Sequence, residues 1–141
     1  MPKLTIWFIR SAVSWLITSL MIGVALALST VFQLPPIFST LRPTFFHLFM
    51  FGWVTQLIFG VACWLFPKFS KTQPRGNEVL WWITFWGLNI GLLLRVISEP
   101  LYVLNSWIGW RWSLAFSAIL QWIAVICFVY NVWQRVKGKG H

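Results

Sequence analysis

The chain has 141 residues, of which 59% are hydrophobic and only 9% charged, with a mean hydropathy of +0.76. A soluble domain runs near a quarter charged, so this composition excludes a water-soluble globular enzyme, a disordered tail and a small disulfide scaffold. The net charge of +9 would suggest nucleic acid in a soluble protein. Here the basic residues lie mainly between apolar runs, which points to membrane orientation instead and to no nucleic-acid partner.

Four apolar runs are each long enough to cross the hydrocarbon core as a helix. The first is expected from about Trp7 to Gln33, following Lys3 and broken at Pro35-Pro36. It is too long for a cleavable signal peptide, and no small-x-small site follows it. The second is expected from Pro43 to Phe66, with Pro43 in its first turn, where a missing N–H costs nothing. The third is expected from Val79 to Leu104, with Asn77 as its cap and Glu78 at the positive end of the helix dipole. The fourth is expected from about Arg111 to Gln134, after a turn at Asn105, Ser106 and Gly109. The predicted fold is therefore an all-α integral membrane four-helix bundle forming one transmembrane domain over 1–141. Only helices and closed barrels satisfy their own backbone groups in lipid.

One side of the membrane receives Lys3, Arg10, Lys68, Lys71, Arg75, Arg135, Lys137 and Lys139, and the other only Arg42 and Arg111. The positive-inside rule then puts both termini in the cytoplasm, in a multi-pass protein of the cell (inner) membrane. Trp7, Trp81, Trp82, Trp107, Trp110, Trp112 and Trp133 fall near the expected interfaces, where amphipathic rings settle. The connecting segments are too short to hold a further domain.

No soluble-type catalytic motif is present: there is no phosphate loop, nucleophile elbow, or zinc or calcium spacing. Cys63 and Cys127 are isolated and read as apolar packing residues. The candidates are polar groups inside the spans, which are costly in lipid and functional by default. His47 lies in the second span. Arg95 and Glu99 lie four apart in the third, where they can form an intramembrane ion pair on one helix face. With Arg42 they form one layer toward the outer surface. His47 is either a hydrogen-bonded packing residue or a ligand. Arg95 and Glu99 are either a structural pair or part of a site in which arginine meets the acidic groups of a cofactor. Glu99 also offers a place to hold a proton.

Small residues mark helix-packing faces: Gly52, Gln56 and Gly60 on the second span, Gly87 and Gly91 on the third, Gly23 and Ala27 on the first. Gln56 and Asn89 are expected to hydrogen-bond between helices. At about 100° per residue, Gln56 falls opposite His47. A packed Gly52–Gln56–Gly60 face would thus turn His47 toward a cofactor or another subunit.

The stretch Leu41-Arg42-Pro43-Thr44-Phe45-Phe46-His47, then Phe51-Gly52-Trp53, ending in Trp64-Leu65-Phe66-Pro67, resembles the second helix of the heme–copper oxidase catalytic subunit. The closest flavour is the cbb3-type oxidase and nitric oxide reductase branch. With the loop Arg75-Gly76-Asn77-Glu78, the chain looks like a short stand-alone relative of that subunit. The specific part covers about a quarter of the chain. The resemblance implies heme b as cofactor, His47 as an axial ligand of its iron, and Arg42 or Arg95 against the propionates. The chain departs from the family in having four helices instead of about twelve, and in lacking its copper-binding and second heme histidines. On its own it is thus no oxidase. The other histidine is His141, at the tip of the tail. The family layout of three four-helix arcs implies a homo-oligomer, trimer or dimer, that repeats His47. The alternatives are an accessory or assembly subunit of a larger respiratory or photosynthetic complex, with His47 structural, and a pigment-binding protein, since chlorophyll-type magnesium needs one axial histidine. Transport is weaker, because no inverted repeat or broken helix is evident.

Overall fold

The computed structural model describes residues 1–136. Among these the secondary structure is entirely helical, with four helical stretches long and apolar enough to cross a membrane. His141, Lys137 and Lys139 lie outside the described residues.

Helix α1 spans Lys3–Phe32. It ends where Gln33 turns left-handed (φ 47°) ahead of Pro35-Pro36, which cannot continue the hydrogen-bond ladder. A 3-10 turn, Pro36–Leu41, leads into α2, Arg42–His47, with Pro43 in its first turn. A π-helical segment, Leu48–Thr55, follows, and then α3, Gln56–Leu65, which stops before Pro67. Helix α4 spans Glu78–Leu104, and α5 spans Ile108–Val136. Asn77 caps α4 by accepting from the Val79 amide at 2.9 Å. Within α4, Pro100 lacks the amide that would reach the Val96 carbonyl.

Two of these elements run further than the apolar runs indicate. Helix α1 begins at Lys3 instead of Trp7; α5 begins at Ile108 instead of Arg111 and continues to Val136. Hydropathy reports the lipid-soluble stretch, whereas backbone hydrogen bonding continues into the interface, where charged heads reach water. Arg135 consequently belongs to a helix and not to a tail. It is buried, and it donates to the carbonyls of Pro67 (2.9 Å), Phe66 (2.5 Å) and Cys63 (3.3 Å). These are the carbonyls that the end of α3 leaves without amide partners. Trp81, in the first turn of α4, faces the bundle: it is 1% exposed, and its indole N–H donates to the Arg75 carbonyl at 2.9 Å.

Helix α1 packs along the second span, α4 along α5, and the second span and α4 form the interior pair. Glycines set the close approaches. A Cβ at Gly52 would sit 2.8 Å from Cβ of Trp15, and one at Gly60 2.8 Å from Cβ of Phe8. Gly87 and Gly91 lie against Ala124 and Gln121 of α5, and Gly23 against Phe45. Ala27 is exposed. The apolar core is concentrated toward the end that carries the Pro67–Asn77 loop. There Phe8 meets Phe85 edge-on (5.2 Å) and Phe59 stacks on Phe128 (3.6 Å) around Trp81 and Leu88. Cys63 and Cys127 are both free thiols.

Midway along the bundle Asn89 joins three spans. Its Oδ1 accepts from Ser11 Oγ (2.6 Å), Trp15 Nε1 (2.8 Å) and Gln56 Nε2 (3.2 Å), and its Nδ2 donates to the Phe85 carbonyl (2.8 Å). Burial without water makes such bonds the natural way to satisfy amide groups.

Candidate functional site

The polar layer forms where the start of the second span meets the last turns of α4. Glu99 is its centre, with a side chain only 9% exposed. Oε1 of Glu99 lies 3.0 Å from Nη1 of Arg95 and 3.2 Å from Nδ1 of His47. Its other oxygen accepts from Thr44 Oγ1 at 2.7 Å. The i, i+4 spacing within α4 makes the Arg95 contact local, whereas Thr44 and His47 reach Glu99 from another helix. Thr44 and His47 share a face of the second span because they are three residues apart.

The His47 ring has a defined tautomer in this setting. Nδ1 faces two acceptors, Glu99 Oε1 and the Pro43 carbonyl at 2.9 Å, so Nδ1 carries the proton. Nε2 has no hydrogen-bond partner among the described residues and is not among the fully buried unpaired atoms. Phe51 stacks alongside at 6.2 Å and 21°. The side chain is 28% exposed. The backbone contact is the one a packing histidine makes, but it occupies one nitrogen only.

Arg42 is exposed at the start of α2 and forms no ion pair among the described residues. The layer thus brings together His47, Arg95 and Glu99, with Arg42 at its margin. Arg95 keeps one further donor, Nε, buried and without a partner. Among the described residues there is no group of three or more His, Cys, Asp or Glu side chains able to enclose a metal ion. Among the described residues the layer holds one imidazole, that of His47.

Two features escaped the sequence. Thr44 was visible only as the residue three before His47. The orientation of His47 differs from a uniform helical wheel, which sets it opposite Gln56. Both residues face α4, His47 toward Glu99 and Gln56 toward Asn89. The π segment is the reason, since it winds more slowly and sets the register back by about one residue, or about 100°. Thr55 Oγ1 donating to the Met50 carbonyl, five residues back, follows the wider turn. His47 therefore lies at the seam between the second span and α4.

No family model, curated protein or solved structure matches this chain.

Proposed function

We propose that the chain is a small membrane-embedded heme-binding protein of the b type, serving electron transfer, with His47 as an axial ligand through Nε2. The division of tasks on the imidazole carries this reading: Nδ1 is held by a carboxylate and a carbonyl, and Nε2 is left accessible. Ligating histidines commonly donate their other N–H to such groups, which fixes the ring and raises its basicity. A bound heme supplies the one-electron couple. The chain's own residues orient the ring, hold the Glu99 carboxyl in place through Arg95 and Thr44, and hold the Nδ1 proton in place. Arg42, exposed at the margin of the layer, is the cation open to propionates, with Arg95 behind it.

His47 is the one histidine among the described residues, so a second imidazole for the same heme would come from a second copy. A closed homodimer or homotrimer provides it by repeating His47. The resemblance of the second span to the oxidase subunit supports the same cofactor. The exposed apolar surfaces of α1 and α5 suit lipid and equally a companion subunit, which keeps the accessory reading as the second one.

The deciding experiment is an absorption spectrum of the protein purified from its native membrane. A Soret band that shifts on dithionite reduction and disappears in His47→Ala is the expected result. Far-red absorbance would indicate a chlorophyll-type pigment. A colourless, stable protein that co-purifies with larger subunits would replace the heme reading with the accessory one.

A further inference from the structure

At the opposite end of the bundle, a cavity of about 610 Å³ lies between the end of α3, the Pro67–Asn77 loop and the end of α5. Lys68, Lys71, Arg75 and Arg135 line it together with Cys63 and Phe66, and no carboxylate does so among the described residues. Both ion pairs among the described residues belong to Glu99, far from here. Arg135 spends its donors on the carbonyls closing α3 and lies 6.0 Å over the Phe66 ring, with no carboxylate bonded to it among the described residues. Lys68 and Lys71 are exposed, Arg75 is half-buried and Arg135 buried, and four cations gathered around one hollow attract an anion.

A second hollow of about 300 Å³ adjoins it along α3, lined by Leu57, Ile58, Val61, Ala62, Leu65 and Phe66. Phe66 is a wall of both. A basic chamber at the end of the spans and an apolar groove over about two turns of α3 therefore meet at the Phe66 side chain. Each half selects for a different part of one molecule, an anionic head and a hydrocarbon tail.

We propose that this paired site binds an anionic phospholipid, its phosphate among Lys68, Lys71, Arg75 and Arg135 and an acyl chain along the α3 groove. Juxtamembrane basic clusters draw anionic headgroups. The groove sets this site apart from one for free phosphate, which has no use for an apolar extension.

The test is thermal unfolding of the full chain in a neutral detergent with added dioleoyl phosphatidylglycerol, dioleoyl phosphatidylcholine, dihexanoyl phosphatidylglycerol or inorganic phosphate. Dioleoyl phosphatidylglycerol is expected to raise the Tm, and the other three to raise it much less or not at all. The double substitution Lys68→Gln with Lys71→Gln alters exposed side chains and is expected to remove roughly half or more of that rise. Arg111→Gln, the loss of one positive charge at the far end, is expected to keep it. Equal effects of the two dioleoyl lipids would overturn the proposal, as would a double variant that retains the full rise. If phosphate or the short-chain lipid reproduced the whole effect, the site would bind the anion alone and the groove would play no part.

Discussion

Thr44 and Glu99, separated by 55 positions in sequence, are joined by a buried hydrogen bond of 2.7 Å. That bond ties the first turn of α2 to the last turns of α4. It also commits the carboxylate oxygen that Arg95 and His47 leave free. Thr44→Val keeps the shape and removes the donor. It should lower stability by about 1–2 kcal/mol, the usual scale for a hydrogen bond to a charged group. Thermal melts in detergent measure it, and an unchanged melt would mean that Glu99 does not depend on Thr44.

Arg95 and Glu99 form an i, i+4 ion pair at 3.0 Å within α4. Removing Arg95 leaves a carboxylate whose side chain is 9% exposed with only Thr44 and His47 beside it, while the arginine itself is 19% exposed. The partial exposure brings the cost below that of a fully buried pair, to about 2–3 kcal/mol for Arg95→Ala. The double substitution Arg95→Met with Glu99→Leu should recover most of the loss, because no unpaired charge remains. A double-mutant cycle in denaturant reads the coupling directly, and additive losses would show that the two groups do not interact.

Arg135 closes the end of α3 from a distant helix. Arg135→Met retains the apolar stem and deletes the donors to Pro67, Phe66 and Cys63. A destabilisation of about 2–4 kcal/mol is expected from several carbonyls losing charged donors at once. Arg135→Lys should recover only part of this, since one ammonium cannot fork between three carbonyls. Hydrogen exchange at the end of α3 would locate the loss, and a Lys variant as stable as wild type would refute the fork.

Gly60 sits where α3 crosses α1. Any side chain there meets Cβ of Phe8 at 2.8 Å, an atom with no rotamer to relieve the clash. Gly60→Leu should cost about 3 kcal/mol or more through separation of the helices. Gly60→Ala should fall between it and wild type. A Leu variant melting like the native chain would show that α1 and α3 are not in close contact.

The sequence by itself determined the four spans and most of their ends. Local chemistry suffices there: apolar length, the Pro35-Pro36 and Pro67 breaks, the Asn77 cap, and the i, i+4 spacing of Arg95 and Glu99. It also marked Gly52, Gly60, Gly87 and Gly91 as packing positions, because a missing side chain is a property of one residue. Tertiary structure alone decided what those faces meet. The pairing of His47 and Thr44 with Glu99, the gathering of Ser11, Trp15 and Gln56 on Asn89, and the burial of Arg135 and Trp81 all join residues on different elements. The π segment decided the direction of His47, since a wheel drawn with one uniform pitch carries no record of where the helix unwinds.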